Sequence, residues 1–403
     1  ASKIYSNALR NKSKVYIQFK LVKIVLIKRG KSAAWCSRLL DRKLNLSRAQ
    51  IPLGFTIDDV QNAINATNIL SEFRKFMLTK KFSASYDHAI GFTRRMLVSK
   101  VVKLSNGKLI LVTQDGTAYH SLKGFGNYHG QNFLGICRGF GFSVISDRMS
   151  TRTQFILAHE LGHSLGLSHD GHKINDDTYC DPNHNYLMTP VFKLLPSTPQ
   201  KLRQNAFHLS KCSIMELEQM LLHTNGTIKR DAFCLQKDFK ASEENYIQKF
   251  PGQDYSANWQ CKMWGGMNAS FCVNLTNDIC TLISCRYNQN AKDCIYLSSS
   301  VLDGTSCGIK MWCDQGQCVS HDDAPEECLW GDAVPDCFRI HHMRRRYRNP
   351  RRLCSMTQFR ETCCETCKDY SNVSKTLTRN KTIEGVNYLK DTKVSNFLRP
   401  RYK

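Results

Sequence analysis

The chain has 403 residues, 19 cysteines and a formal net charge of +23. So many cysteines exclude an ordinary cytosolic protein unless they bind metal, and only Cys364 and Cys367 show the paired spacing of a zinc ribbon, so disulfides in an oxidising compartment are expected. No apolar run reaches the roughly 18 to 20 residues of a membrane helix, and no nucleic-acid fold signature accompanies the positive charge.

The chain opens at Ala1 with neither a Met nor a signal peptide, so secretion is inferred rather than read. Val15 to Ile27, interrupted by Lys20 and Lys23, has the β-branched content of strands. Strand-like runs such as Lys108 to Thr113 then alternate with helical ones, the pattern of an α/β domain. Ser150 is the candidate N-cap of a helix with Phe155, Leu161 and Leu165 on its apolar positions, and Gly166 ends it.

That helix carries His159-Glu160-Leu161-Gly162-His163, followed by Ser164, Leu165, Gly166, Leu167, Ser168, His169 and Asp170. A zinc-peptidase site needs neutral imidazoles converging on a metal, with one coordination position left for water. His159 and His163, four apart, share one helix face. Glu160 beside them is placed to take the proton of the attacking water as general base. A third ligand three residues past Gly166 requires a sharp turn, which glycine at positive φ tolerates, and the turn delivers His169. Met188 stands in Asn185-Tyr186-Leu187-Met188-Thr189-Pro190, and His172 and His184 carry no ligand spacing and are read as loop residues.

The cysteines divide the chain into blocks. Residues 1–240 hold five, Cys36, Cys137, Cys180, Cys212 and Cys234; residues 245–320 hold eight; residues 321–370 hold six; and the basic tail 371–403 holds none and is expected to be disordered. The first block can pair only four of its five, and by position Cys36 is left over, either because its partner is missing or because it lies free in the core. Sequons at Asn11, Asn45, Asn65, Asn225, Asn268, Asn274, Asn372 and Asn380 suit an extracellular glycoprotein. Arg344, Arg345, Arg346, Arg348, Arg351 and Arg352 form a cluster that attracts polyanions, for which glycosaminoglycans and acidic cell surfaces are the extracellular candidates; a merely solubilising face is the other reading.

The twelve residues from His159 to Asp170 resemble the long zinc motif of the metzincin endopeptidases, and Asp170 is typical of the reprolysin (adamalysin) branch that includes the ADAM and ADAMTS proteins. The resemblance implies an α/β fold with a mixed sheet over a zinc-binding helix, followed by small disulfide-rich modules. It implies that His159, His163 and His169 hold one zinc ion and that Met188 lies beneath the metal; structural calcium is not excluded. In it Lys14 to Ile27 corresponds to the second strand of the domain, Ile69 to Lys75 to a helix, His88 to Arg94 to the central strand, and Gly130 to Cys137 to the edge strand along which substrate aligns. The first strand and any pro-segment have no counterpart, so the protease block is expected to be N-terminally incomplete. The same resemblance pairs Cys137 with Cys234 and Cys180 with Cys212.

From Pro251 to Val319 the eight cysteines, with Asp303-Gly304-Thr305-Ser306-Cys307-Gly308 and Trp312-Cys313-Asp314-Gln315-Gly316-Gln317-Cys318-Val319, resemble the disintegrin-like domain of ADAMTS proteins; no Arg-Gly-Asp triplet supports integrin binding. The six cysteines from residue 328 to 367 are similar to modules that close some ADAMTS proteins and some secreted tick reprolysins. The lack of a thrombospondin repeat and the short tail favour the tick salivary type. The expected function is a secreted zinc metalloendopeptidase acting on matrix or plasma proteins, with no membrane span and no nucleic-acid partner; the alternative is a catalytically silent matrix- or receptor-binding protein on the same scaffold.

Overall fold

The computed structural model describes residues 2–9, 13–27, 30–36, 49–52, 55–79, 86–119, 136–175, 178–236, 249–272, 279–288, 291, 293–308, 310–325, 354, 363, 366 and 367. The helices used below are α1 (Ser2–Leu9), α2 (Ile57–Gln61), α3 (Ala66–Thr79), α4 (Thr153–Ser164), α5 (Gln200–Asn205) and α6 (Lys211–Leu221). The strands of the N-terminal half are β1 (Ala49–Gln50), β2 (Ile64–Asn65), β3 (Ala89–Thr93), β4 (Leu97–Lys103), β5 (Leu109–Gln114), β6 (Gly116–Ala118) and β7 (Phe142–Ser146).

The sheet that positions the site is β3-β7-β6. β7 runs parallel to β3, with Ala89 opposite Phe142 and Thr93 opposite Ser146, and antiparallel to β6, with Gly116 opposite Ile145. Every residue of β7 is buried, the signature of a strand covered on both faces. Its period-2 alternation divides the core: Phe142 and Val144 join α3, whereas Ile145 joins the cluster of α4. β4 and β5 form an antiparallel pair extended by β1 and β2, over Val60, Met96, Val98 and Leu111.

Local sequence explains the helix on the outer face. Asn65 accepts the Asn68 amide at 3.0 Å at the start of α3. Ile69, Leu70 and Phe73, spaced as one helical face, are buried. Phe73 packs on Trp35 at 4.9 Å and on Phe142 at 6.2 Å between ring centroids, and burying one such ring contributes about 2–3 kcal/mol.

Two expectations are corrected here. Residues 14–27 belong to no sheet among the described residues. Val15, Ile17 and Phe19 do alternate inward onto the core, but Leu21, Ile24 and Leu26 are 75%, 69% and 80% exposed. β-branched content makes a chain fit for a pleated surface without supplying a ladder partner. Second, Ile136–Arg138 is a 3-10 turn rather than the end of a strand, and the antiparallel edge strand beside α4 is β6; residues 130–135 of the expected strand lie outside the described residues. The basic cluster Arg344 to Arg352, most of the six-cysteine module and the tail also lie outside them.

Residues 249–325 form a disulfide-rich region of two small three-stranded antiparallel sheets beside the helix Ala257–Gly265. Its eight cysteines pair among themselves: Cys261 with Cys285, Cys272 with Cys294, Cys280 with Cys313, and Cys307 with Cys318. Four crosslinks around the small cluster of Cys261, Cys280, Ile283, Cys285 and Val301 replace the apolar core that so short a segment cannot build.

Candidate metal centre

The helix that carries the site starts at Thr153, and Arg152 occupies the cap position without a side-chain cap. Ser150 is therefore not the N-cap: its carbonyl accepts the Thr153 amide at 3.2 Å, and Asp147 Oδ1 organises the turn by accepting the Met149 amide at 3.0 Å and the Thr153 hydroxyl at 2.8 Å. From Phe155 onward nearly every residue of α4 is buried, His159, Glu160 and His163 included. A helix buried all round is a core element, and its polar side chains must find partners inside.

Gly166 ends the helix as foreseen. Its φ is 90°, its amide donates to the His163 carbonyl and the Leu167 amide to the Gly162 carbonyl, both at 2.9 Å, which is the double bond of a Schellman cap. The turned chain brings His169 back to the helix. His169 Nε2 lies 3.1 Å from His159 Nε2 and 3.0 Å from His163 Nε2. Their other nitrogens are committed: His159 Nδ1 donates to the Leu187 carbonyl at 2.7 Å and His163 Nδ1 to the Leu167 carbonyl at 2.8 Å. A carbonyl only accepts, so the proton sits on Nδ1 and the Nε2 lone pairs converge. A tetrahedral zinc with imidazole ligands sets the nitrogens about 3.3 Å apart. The triad fits a zinc ion.

Met188 is fully buried directly beneath the helix, where a Cβ on Gly162 would meet its Sδ at 2.6 Å. Asp170 ties the neighbouring His169 to this floor. Its amide donates to the Met188 carbonyl at 2.8 Å, and its Oδ1 accepts the hydroxyl of Ser210, the N-cap of α6, at 2.6 Å. Burial pushes the Asp170 carboxyl up to about 6, against the Ser210 hydrogen bond. Disulfides hold the surroundings: Cys180 with Cys212 joins the loop after His169 to α6, and Cys137 with Cys234 joins the turn before β7 to the closing segment. With separations of 32 and 97 residues, chain-entropy reasoning gives roughly 4 and 5 kcal/mol respectively.

Glu160 is 5% exposed, and its Oε2 is buried with no hydrogen-bond partner among the described residues. Gly116 in β6 abuts it so closely that a Cβ there would lie 2.6 Å from Oε1. Burial first, then the negative charge of Asp115, push the Glu160 carboxyl up to about 8; a dication held by the triad acts in the opposite sense. His172 and His184 lie apart from the triad.

Three participants escaped the sequence reading. Tyr5 of α1 is fully buried below α4 and donates to the Ala158 carbonyl at 2.9 Å. A Cβ on Gly162 would force Met188 Sδ or the Tyr5 hydroxyl to shift, and one on Gly116 would force Glu160 or Ile156 to shift. A glycine inside a helix is itself a signal of close approach, since it costs about 1 kcal/mol there. Nothing local marks Tyr5.

A mixed sheet over a buried helix, with three histidine Nε2 atoms at ligand spacing, is an arrangement that fits a zinc ion. Residues 2–204 match the metallo-peptidase family M12 and residues 251–319 match the ADAMTS cysteine-rich domain 2. The chain belongs to metallo-peptidase family M12. It is 31% identical over 229 residues to mouse (Mus musculus) "A disintegrin and metalloproteinase with thrombospondin motifs 16", covering 54% of this chain and 17% of the relative. Against human (Homo sapiens) "A disintegrin and metalloproteinase with thrombospondin motifs 19" the identity is 29% over 210 residues, covering 50% of this chain and 16% of the relative. A longer match, 23% over 345 residues, is to mouse "A disintegrin and metalloproteinase with thrombospondin motifs 2", covering 74% of this chain and 27% of that protein. The chain thus spans less than a third of the length of these relatives. No helix among the described residues is long and apolar enough to cross a membrane.

Proposed function

We propose that this chain is a secreted zinc metalloendopeptidase that hydrolyses internal peptide bonds of extracellular proteins. The observation that carries the reading is the convergence of three Nε2 atoms beside the enclosed Glu160, whose Oε2 has no hydrogen-bond partner among the described residues. Zinc, when bound, supplies Lewis acidity and brings the pKa of water to about 7. Glu160 accepts the proton of the attacking water and returns it to the leaving amine. Its burial against β6 withholds competing solvent, and a dication held by the triad favours the ionised carboxylate that a base needs. His159, His163 and His169 hold the metal, and Gly166, Asp170 and Met188 fix where they point.

The finer parts of the reading rest on composition and resemblance. Residues 1–240 act as the protease domain, residues 245–320 and 321–370 as modules that select a large matrix or plasma substrate, and 371–403 as a basic tail. The cysteine pattern from 328 to 367 is read as similar to the modules that close some ADAMTS proteins and some secreted tick reprolysins. Arg344, Arg345, Arg346, Arg348, Arg351 and Arg352 bind glycosaminoglycans or acidic cell surfaces in this scheme. Asn225 and Asn268 are exposed sequon positions where a glycan has room.

A quenched fluorogenic peptide assay on the full chain tests the function. Hydrolysis is expected with zinc, loss on chelation, and recovery when zinc is restored. A zinc-loaded, folded chain that cleaves nothing would replace this reading with that of a silent binding protein on the same scaffold.

A further inference from the structure

The cysteine-rich region grips the chain where α4 begins. The Thr151 hydroxyl lies 2.7 Å from Ser299 Oγ and also donates to the Ser300 carbonyl, and Gln154 Nε2 donates to Ser300 Oγ at 3.0 Å. Between them stands Arg152. Its Nη1 donates to the Ser298 carbonyl at 3.2 Å, and its Nε donates to Asp115 Oδ2 at 3.0 Å.

Asp115 immediately precedes the glycine whose backbone forms the wall against Glu160, and the Asp115 carbonyl accepts the Ser146 amide of β7 at 2.8 Å. Arg152 therefore bridges Asp115, which immediately precedes β6, and the Ser298–Ser300 segment. The guanidinium suits this task because it reaches two separated acceptors with two different nitrogens held in one rigid plane, whereas a lysine must reach both from a single nitrogen. The pair itself adds little to stability, since the side chains of Arg152 and Asp115 are 24% and 38% exposed. Geometry is what it controls.

We propose that Arg152 is a positioning residue for the peptidase reaction, which holds the Asp115–Gly116 backbone against Glu160 and takes its own orientation from Ser298 of the cysteine-rich region. The proposal rests on the reading of Glu160 as the base. It makes residues 298–300 part of the working unit for even the shortest substrate, which touches no distant surface.

The test uses the full, zinc-loaded chain and a short fluorogenic peptide, with Arg152→Ala, Arg152→Lys and Asp115→Asn. Misplacing a reacting group by about 1 Å costs on the order of a hundredfold. Arg152→Ala should lower kcat by about that factor at unchanged KM and unchanged zinc content. Arg152→Lys should fall between it and the parent chain, and Asp115→Asn should reproduce the loss without adding to it in the double variant. As a readout independent of catalysis, hydrogen exchange of the amides of residues 116–118 in the metal-free chain should quicken in Arg152→Ala. An unchanged kcat, or a loss carried entirely by KM or by zinc, would overturn the assignment. Should Arg152→Ala fail to fold, Asp115→Asn alone decides it. If the parent chain is inactive, the function proposed above fails, while the exchange measurement still tells whether Arg152 holds β6: unchanged exchange overturns the proposal and faster exchange supports it.

Discussion

The hydroxyl of Tyr5 donates to the carbonyl of Ala158, 153 positions along the chain and one residue before His159, the first histidine of the triad. The ring beneath that hydroxyl packs edge-on against Phe19 at 5.2 Å and helps seal the floor of α4. Tyr5→Phe keeps the packing and removes one buried hydrogen bond, a loss of about 1 kcal/mol. Tyr5→Ala adds a cavity and should cost roughly 3–5 kcal/mol. Thermal unfolding of the two variants should separate them clearly, and equal shifts would show that the ring packs nothing.

Gly162 faces Met188 Sδ and the Tyr5 hydroxyl from the opposite side of this floor. Alanine is the better helix former by about 1 kcal/mol, but overpacking a closed site costs about 1–3 kcal/mol. The clash wins because both neighbours are fully buried. Gly162→Ala should therefore lower the melting temperature and weaken zinc affinity together, measured by calorimetry and by competition with a chelating dye.

His88 gives the fold a dependence on acid. Its Nε2 lies 3.0 Å from Ser143 Oγ on the fully buried strand β7, and its Nδ1 is buried without a hydrogen-bond partner among the described residues. Burial lowers its pKa to about 3. The unfolded chain binds a proton near pH 6.5 that the native chain refuses, so this contribution to stability is fully present above that pH and is lost as pH falls from about 6.5 towards 3. At pH 5 the loss is roughly 2 kcal/mol. Denaturant titrations at pH 7 and pH 5 should show the parent chain losing more than His88→Asn over that interval; an equal loss would mean that other groups carry it.

Cys36 is the free cysteine among the described residues, half-buried, with its thiol donating to the Ala33 carbonyl at 3.3 Å. Burial raises its pKa, so the thiolate that alkylating reagents need is scarce at neutral pH. Alkylation of the native, unreduced chain should label Cys36 slowly, faster after mild unfolding, and should label no cysteine from 261 to 318. Label within that span would contradict the four internal disulfides there.

The histidine spacing was readable because ligand geometry dictates it: two imidazoles one turn apart, then a glycine that reverses the chain. The Gly166 cap follows from the same logic. Ser150 misled because the segment Ser150-Thr151-Arg152-Thr153 offers three capping residues among four, and the helix start was decided by Asp147, whose side chain reaches forward to Met149 and Thr153. Residues 14–27 misled because β-branched content reports suitability for a sheet, and pairing depends on which strand lies alongside. Gly116 reads as an ordinary turn glycine until Glu160 arrives from α4, and Tyr5 reads as nothing in particular until the chain closes over it. These are long-range contacts, and a local pattern does not contain them.

The central claim is that Glu160 moves the proton while the three histidines hold the metal, and one paired measurement on Glu160→Ala tests it. Zinc content by metal analysis and the rate of peptide hydrolysis should be determined on the same sample, beside the parent chain. The account predicts one zinc per chain in both proteins and a rate lower by about two to four orders of magnitude in the variant, as expected for removal of a general base. A zinc-loaded Glu160→Ala chain that retains the parent rate would contradict it.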